Sequence, residues 1–76
     1  ANGQIETLQF HIKEANKMTS KPLSQLKLKK GVLIAAIIRK GKTIFPTGED
    51  MLEVGDKLLV TTLLPNITKI YDLIAR

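Results

Sequence analysis

From Thr7 to Lys13, Leu8, Phe10 and Ile12 alternate with Thr7, Gln9, His11 and Lys13, a period of two that predicts a strand with one buried face. The polar run Glu14 to Ser20 leads to Pro22, placed where a first helical turn tolerates a missing N–H, with Ser20 as its cap. A helix of about two turns is expected there, with Leu23 and Leu26 three apart and Leu28 just beyond, enough to pin one face onto a sheet. Val32 to Ile38 is apolar at both parities and rich in β-branched residues, which predicts a central strand covered on both faces. Arg39-Lys40-Gly41-Lys42 then supplies a tight turn, and Thr43-Ile44-Phe45 returns antiparallel until Pro46 closes the strand. After the loop Thr47 to Asp50, Met51-Leu52 is expected to be a further brief extended stretch, followed by a turn at Gly55-Asp56. Lys57 to Leu63 reads as a strand with Leu58 and Val60 on one face and Leu59 and Thr61 on the other. Pro65-Asn66 breaks it, and Asn66 is positioned to cap a last helix bearing Ile67, Ile70, Tyr71 and Ile74 at helical spacing. The predicted class is therefore α+β, in the order β-α-β-β-β-α with one extra short strand at Met51-Leu52, a small, mainly antiparallel sheet and two helices.

A chain of 76 residues holds one domain with a small core. Residues 1–4 read as a lead-in to a domain over 5–76, and the opening Ala1-Asn2-Gly3 suggests a processed or excised chain. No cysteine is present, which removes disulfides, zinc–thiolate sites and thiol nucleophiles and favours stabilisation by a second copy. The longest apolar run, Gly31 to Ile38, falls far short of the roughly 20 residues that cross a bilayer.

Chemistry-bearing residues are sparse. His11, the single histidine, falls on the polar face of the first strand with no carboxylate at an obvious pairing distance. Glu49, Asp50, Glu53 and Asp56 lack the ligand spacing and closing Glu of a calcium loop. Ser20 and Ser24 have no base nearby, and there is no glycine-rich phosphate loop, so catalysis is not expected. The formal charge of +5 leaves nucleic acid, an anionic surface or a solubilising coat open. Lys27, Lys29 and Lys30, with Arg39, Lys40 and Lys42, are expected as two basic clusters at neighbouring strand ends, able to meet phosphates of a small anionic ligand or lipid. Phe10, Phe45 and Tyr71, the only aromatic residues, all read as core, which argues against a specific nucleic-acid surface.

The order from Val32 to Val60, an apolar strand, Arg39, the Gly41 turn, an apolar residue before Pro46, then Leu52-Glu-Val-Gly55-Asp56 and a second apolar strand, resembles the TrkA-C domain, the C-terminal half-domain of the regulators of potassium conductance. Lys21-Pro22-Leu23 with Leu26 and Leu28 resembles that family's short helix. The resemblance implies a cytoplasmic regulatory module that forms a homodimer and docks on a membrane potassium transporter or channel subunit. No cofactor is expected in this chain; NAD is expected on a Rossmann-type N-terminal domain. In some members the dimer cleft binds cyclic di-AMP, and the corresponding positions here are Leu28, Lys29, Leu33 and Pro46. Leu33 stands where those members carry Asn, which predicts weak or no binding of that ligand. Two other readings stay open: the same domain as a soluble insert of another cation or anion transporter, and a small basic nucleic-acid-binding domain.

Overall fold

A computed structural model describes residues 4–75, so of the expected lead-in only Gln4 is described. Four strands, β1 (Glu6–His11), β2 (Val32–Arg39), β3 (Lys42–Ile44) and β4 (Lys57–Thr62), form one antiparallel sheet in the order β1-β4-β2-β3. The alternation read along the first strand is present. Leu8 pairs with Val60 and Phe10 with Leu58, and Ile12, just past the strand end, is buried. The hairpin between β2 and β3 closes through Lys40 and Gly41, both at positive φ (51° and 77°), the geometry that matches the right-handed twist of the flanking strands.

One irregularity decides which side chains reach the core. The β2–β4 register slips between Ile34 and Ala36, leaving Ala35 as an inserted residue. Ile34 and Ile37, three apart rather than two, therefore face the same side, opposite Val60 and Leu58. Leu33, Ala36 and Ile38 take the other side, opposite Thr61, Leu59 and Lys57. Ile12, Met18, Leu26, Leu52 and Leu73 complete the core on the first side.

The expectation that β2 is covered on both faces is thus half right. The strand has neighbours on both edges, but the chain lays its connecting segments on one face only, and Leu33 on the other is 62% exposed.

Neither expected helix forms; among the described residues the only helical elements are the 3₁₀ turns Lys17–Thr19, Leu23–Gln25 and Ile70–Leu73. In the first segment Ser20 does not cap anything downstream, because its hydroxyl donates back to the Lys17 carbonyl. The amides of Leu23 and Ser24 donate across to the carbonyls of Asp50 and Gly48, which ties the segment to the neighbouring loop, and it leaves off after one 3₁₀ turn, with Leu26 extended. A segment this short cannot offset the cost of nucleation, which Zimm–Bragg analysis puts at a factor of about 10⁻³. In the second segment Asn66 sits at φ 64°, a left-handed conformation foreign to an N-cap. The Asp72 carboxylate instead accepts from the amides of Thr68 and Lys69, and Ile74 is drawn into an isolated antiparallel bridge with Leu28. Leu73, outside the expected apolar stripe, is the residue that becomes fully buried.

Two further expectations change. Met51-Leu52 forms no strand: Leu52 plugs the core while Met51 is exposed. Of the three aromatic residues read as core, only Phe10 packs there; Phe45 is 78% exposed and Tyr71 51%. The polar stretch Glu14 to Ser20 also supplies Met18 to the core, held by the Asn16 side chain, whose oxygen accepts from the Met18 amide.

Candidate functional site

Arg39 ends β2 and Asp56 immediately precedes β4, and antiparallel pairing of those strands brings the two together. The guanidinium donates through Nε to Oδ1 and through Nη2 to Oδ2, each at 2.9 Å, a two-pronged pairing. Nη2 also donates to the Met51 carbonyl at 2.9 Å, and Nη1 lies 3.1 Å from the Glu53 carboxylate. Asp56 is fully buried and its Oδ2 also accepts from the Glu53 amide at 2.8 Å, the turn-closing role read from its place after Gly55. Burial pushes this carboxyl up, but the Arg39 hydrogen bonds, the Glu53 amide and the guanidinium charge together hold it below the usual carboxylate range. Hydrogen bonding to Asp56, with the charges of Asp56, Glu53 and Asp50, raises the Arg39 guanidinium against the opposing effect of burial. This cluster is a clamp that ties the 51–56 loop to the end of β2.

The clamp also alters the expected phosphate-binding surface. Arg39 is committed to carboxylates, which leaves Lys40 and Lys42 of that group. Lys30 precedes β2 whereas Lys40 follows it, so the two basic clusters lie at opposite ends of an eight-residue strand, roughly 25 Å apart at about 3.3 Å per residue. Among the described residues no group of three or more His, Asp and Glu side chains is placed to hold a metal ion.

At the other end of β2, Leu33 lines a shallow groove of about 260 Å³ with Ile5, Gly31, Thr61 and Leu63. Leu28 and Lys29 lie outside it: Leu28 bridges to Ile74, and the Lys29 amide donates to the Leu73 carbonyl at 2.8 Å. Pro46 follows β3 by two residues and is also outside the groove. Of the four positions singled out in the sequence, the structure places only Leu33 on this surface.

The groove is one corner of a wider apolar face. By strand register Ile5, Leu33, Leu59, Leu63 and Ile38 share the side of the sheet away from the core, and the alternation of β3 carries Phe45 toward it. The bulge that turns Leu33 and Ile38 to this face was hidden in the sequence, because a run apolar at every position has no period, whereas the hairpin was legible from its Lys40-Gly41 turn. The Arg39–Asp56 clamp left only a partial signal, opposite charges at the ends of two apolar strands, because the pairing of those two strands was not read from the sequence.

The fold is a small antiparallel sheet with its connections packed on one side and exposed apolar side chains on the other. The chain belongs to the TrkA-C domain family, whose model matches residues 8–75. It is similar to the Trk system potassium uptake protein TrkA homolog 1 of Methanosarcina mazei, at 29% identity over 60 residues, 79% of this chain and 13% of that protein. It is also similar to the Trk system potassium uptake protein TrkA of Azorhizobium caulinodans, at 25% identity over 72 residues, 95% of this chain and 16% of that protein. The chain therefore spans about a seventh of the length of these curated relatives.

Proposed function

We propose that this domain is a non-catalytic regulatory module of a potassium uptake system, working as a homodimer on the cytoplasmic side of the membrane and docking on a potassium transporter or channel subunit. The match of residues 8–75 to the TrkA-C family, together with relatives named for Trk potassium uptake, carries this reading. No helix among the described residues is long and apolar enough to cross a membrane, and in this reading the domain meets the transporter rather than the bilayer. The NAD expected for a Trk-type regulator would sit on a separate Rossmann-type domain, since this sequence has no glycine-rich phosphate loop to hold a dinucleotide in that manner.

The open sheet face supports pairing. Exposed Leu33, Ile38, Phe45, Ile5 and Leu63 lie on or beside one surface, with Lys57 opposite Ile38 at its edge, an apolar patch of the kind found at interface centres. Leu33 lies within that surface, and an apolar side chain there cannot hydrogen-bond a polar ligand held between two copies. Cyclic di-AMP is accordingly expected to bind weakly or not at all, the missing hydrogen bond costing about 1–3 kcal/mol per copy.

Light scattering at tens of micromolar is expected to report twice the 8.4 kDa chain mass, and Leu33→Asp to return it to the monomer value. A monodisperse wild-type monomer would remove the pairing part of the proposal. The regulatory part is tested in the full-length gene product: deletion of residues 5–76 should alter potassium uptake at unchanged transporter abundance, and unaltered uptake would oppose it.

A further inference from the structure

Three lysines from two separate segments line one hollow away from the open sheet face. Lys17 comes from the first 3₁₀ turn, Lys21 from the residues just after it and Lys27 from the strand-like stretch that bridges to the C-terminal segment. Together with Leu26 and Ile74 they line a cavity of about 340 Å³. A neighbouring hollow of about 620 Å³ shares Lys17, Ile74 and Ala75 with it and adds Tyr71. Both volumes lie in the roughly 300–1,000 Å³ range of small-molecule sites.

The charge in this hollow is uncompensated. All three lysines are exposed, and among the described residues Arg39 is the only cation within ion-pair distance of a carboxylate. No acidic side chain lines either cavity. Asp72, the carboxylate next to Tyr71 in sequence, is turned to the amides of Thr68 and Lys69 and to the Thr68 hydroxyl. The walls are fixed by the backbone: the Ser20 amide and hydroxyl both donate to the Lys17 carbonyl, and Ala75 donates to the Lys27 carbonyl. Beside the lysines stands an aromatic ring that the core does not use, Tyr71, half exposed in a chain with only three aromatic residues.

We propose that Lys17, Lys21, Lys27 and Tyr71 form a binding site for a nucleoside phosphate, the ammonium groups meeting the phosphates and the tyrosine ring stacking on the base. Three lysines lining one hollow favour a multiply charged phosphate chain, and an exposed ring beside Ile74 in the adjoining hollow favours a planar base. The site is distinct from the Leu33 groove and does not depend on whether the domain pairs or docks on a transporter.

The test is titration of the 76-residue chain with adenosine triphosphate and, separately, with inorganic tripolyphosphate, followed by calorimetry and by amide chemical shifts. The nucleotide is expected to bind about 5-fold or more tightly than tripolyphosphate, the gain of one stacked base, with saturable shifts at Lys17, Lys21, Lys27 and Tyr71. Tyr71→Leu should erase that difference while leaving tripolyphosphate binding unchanged, and Lys21→Gln should weaken both. Lys40→Gln, at the hairpin tip, should weaken neither. Equal affinity for the two anions, equal loss from Lys21→Gln and Lys40→Gln, or shifts at these residues only with anionic vesicles would overturn the proposal.

Discussion

Both faces of the sheet carry large apolar side chains, yet the chain spends all its connecting segments on one of them. On the core side Ile37, Leu58 and Val60 are fully buried under Ile12, Met18, Leu26, Leu52 and Leu73. On the other side Leu33 and Phe45 remain mostly exposed, with no segment of the described chain laid over them. A 76-residue chain with three short 3₁₀ turns and no α-helix among its described residues has enough material for one layer over a four-stranded sheet. The difference separates two kinds of apolar residue that a hydropathy pattern treats alike: those that hold the fold and those left for contact with something else.

The largest effects should fall on the core side. Ile37→Ala removes buried methylenes opposite Leu58 at the centre of the sheet and is expected to cost about 2–5 kcal/mol. For a domain this small that approaches the whole stability, so urea melts should show a midpoint near zero or an unfolded protein. A midpoint shift equivalent to less than about 1 kcal/mol would mean that the two faces are not as unequal as their burial indicates.

Next comes the clamp that closes one end of the sheet. Arg39→Met leaves the buried Asp56 carboxylate with only the Glu53 amide and should cost about 3 kcal/mol. Its pH dependence gives a sharper check. Asp56 has a folded pKa below its ordinary 3.8, so its contribution is complete above that value and is lost as pH falls through the folded value. In the variant, burial without the guanidinium favours the protonated form, so acidification relieves strain instead of adding it. The stability gap between wild type and Arg39→Met should therefore narrow below about pH 4, and a constant gap would show that the pair is not ionic in its effect.

The hairpin that carries Ile38 and Phe45 to the open side offers a smaller, stabilising change. Lys40 holds φ 51° at the first turn position, a left-handed conformation that costs a β-carbon residue energy and that Asn adopts more readily. Lys40→Asn should raise stability by about 0.5–1 kcal/mol in the same melts. Destabilisation would indicate a contact of the lysine that the turn geometry does not reveal.

How far the sequence revealed this arrangement depends on the kind of signal. Alternation in β1 and β4 and the Lys40-Gly41 turn are local, and they were legible because period and turn chemistry act within a few residues. The two expected helices failed because helical spacing of Leu23 and Leu26, or of Ile67, Ile70 and Ile74, is also met by apolar side chains in irregular chain draped over a sheet. There tertiary hydrogen bonds hold each segment in place, Leu23 and Ser24 donating to the carbonyls of Asp50 and Gly48, and Ala75 to that of Lys27 while the Leu73 carbonyl accepts from Lys29. The bulge at Ala35 was invisible, since inserting a residue into a wholly apolar run leaves no polar residue out of place. At the candidate sites Leu33 was found through family resemblance, whereas Lys17 shares one hollow with Lys27 and the adjoining one with Tyr71 only because chain segments far apart in sequence pack together.

The smallest effect on the fold should come from the open face itself. Phe45 is 78% exposed, so truncating it removes little buried area and creates no cavity within the chain. Phe45→Ser is therefore expected to shift the stability of the isolated chain by no more than about 0.5 kcal/mol, measured at concentrations low enough for it to be monomeric. Buried between two copies, the same ring would lose contact area twice, once from each side of a symmetric pair. Sedimentation should then show the dimer dissociating at a concentration at least about 10-fold higher than wild type, which corresponds to only about 1.4 kcal/mol. Such a change beside an unmoved melt would distinguish the open face from the core by measurement, because Ile37→Ala would lower the melt and pairing together. If Phe45→Ser lowered monomer stability as much as Ile37→Ala, the open face would be part of the fold and its apolar residues would need no partner.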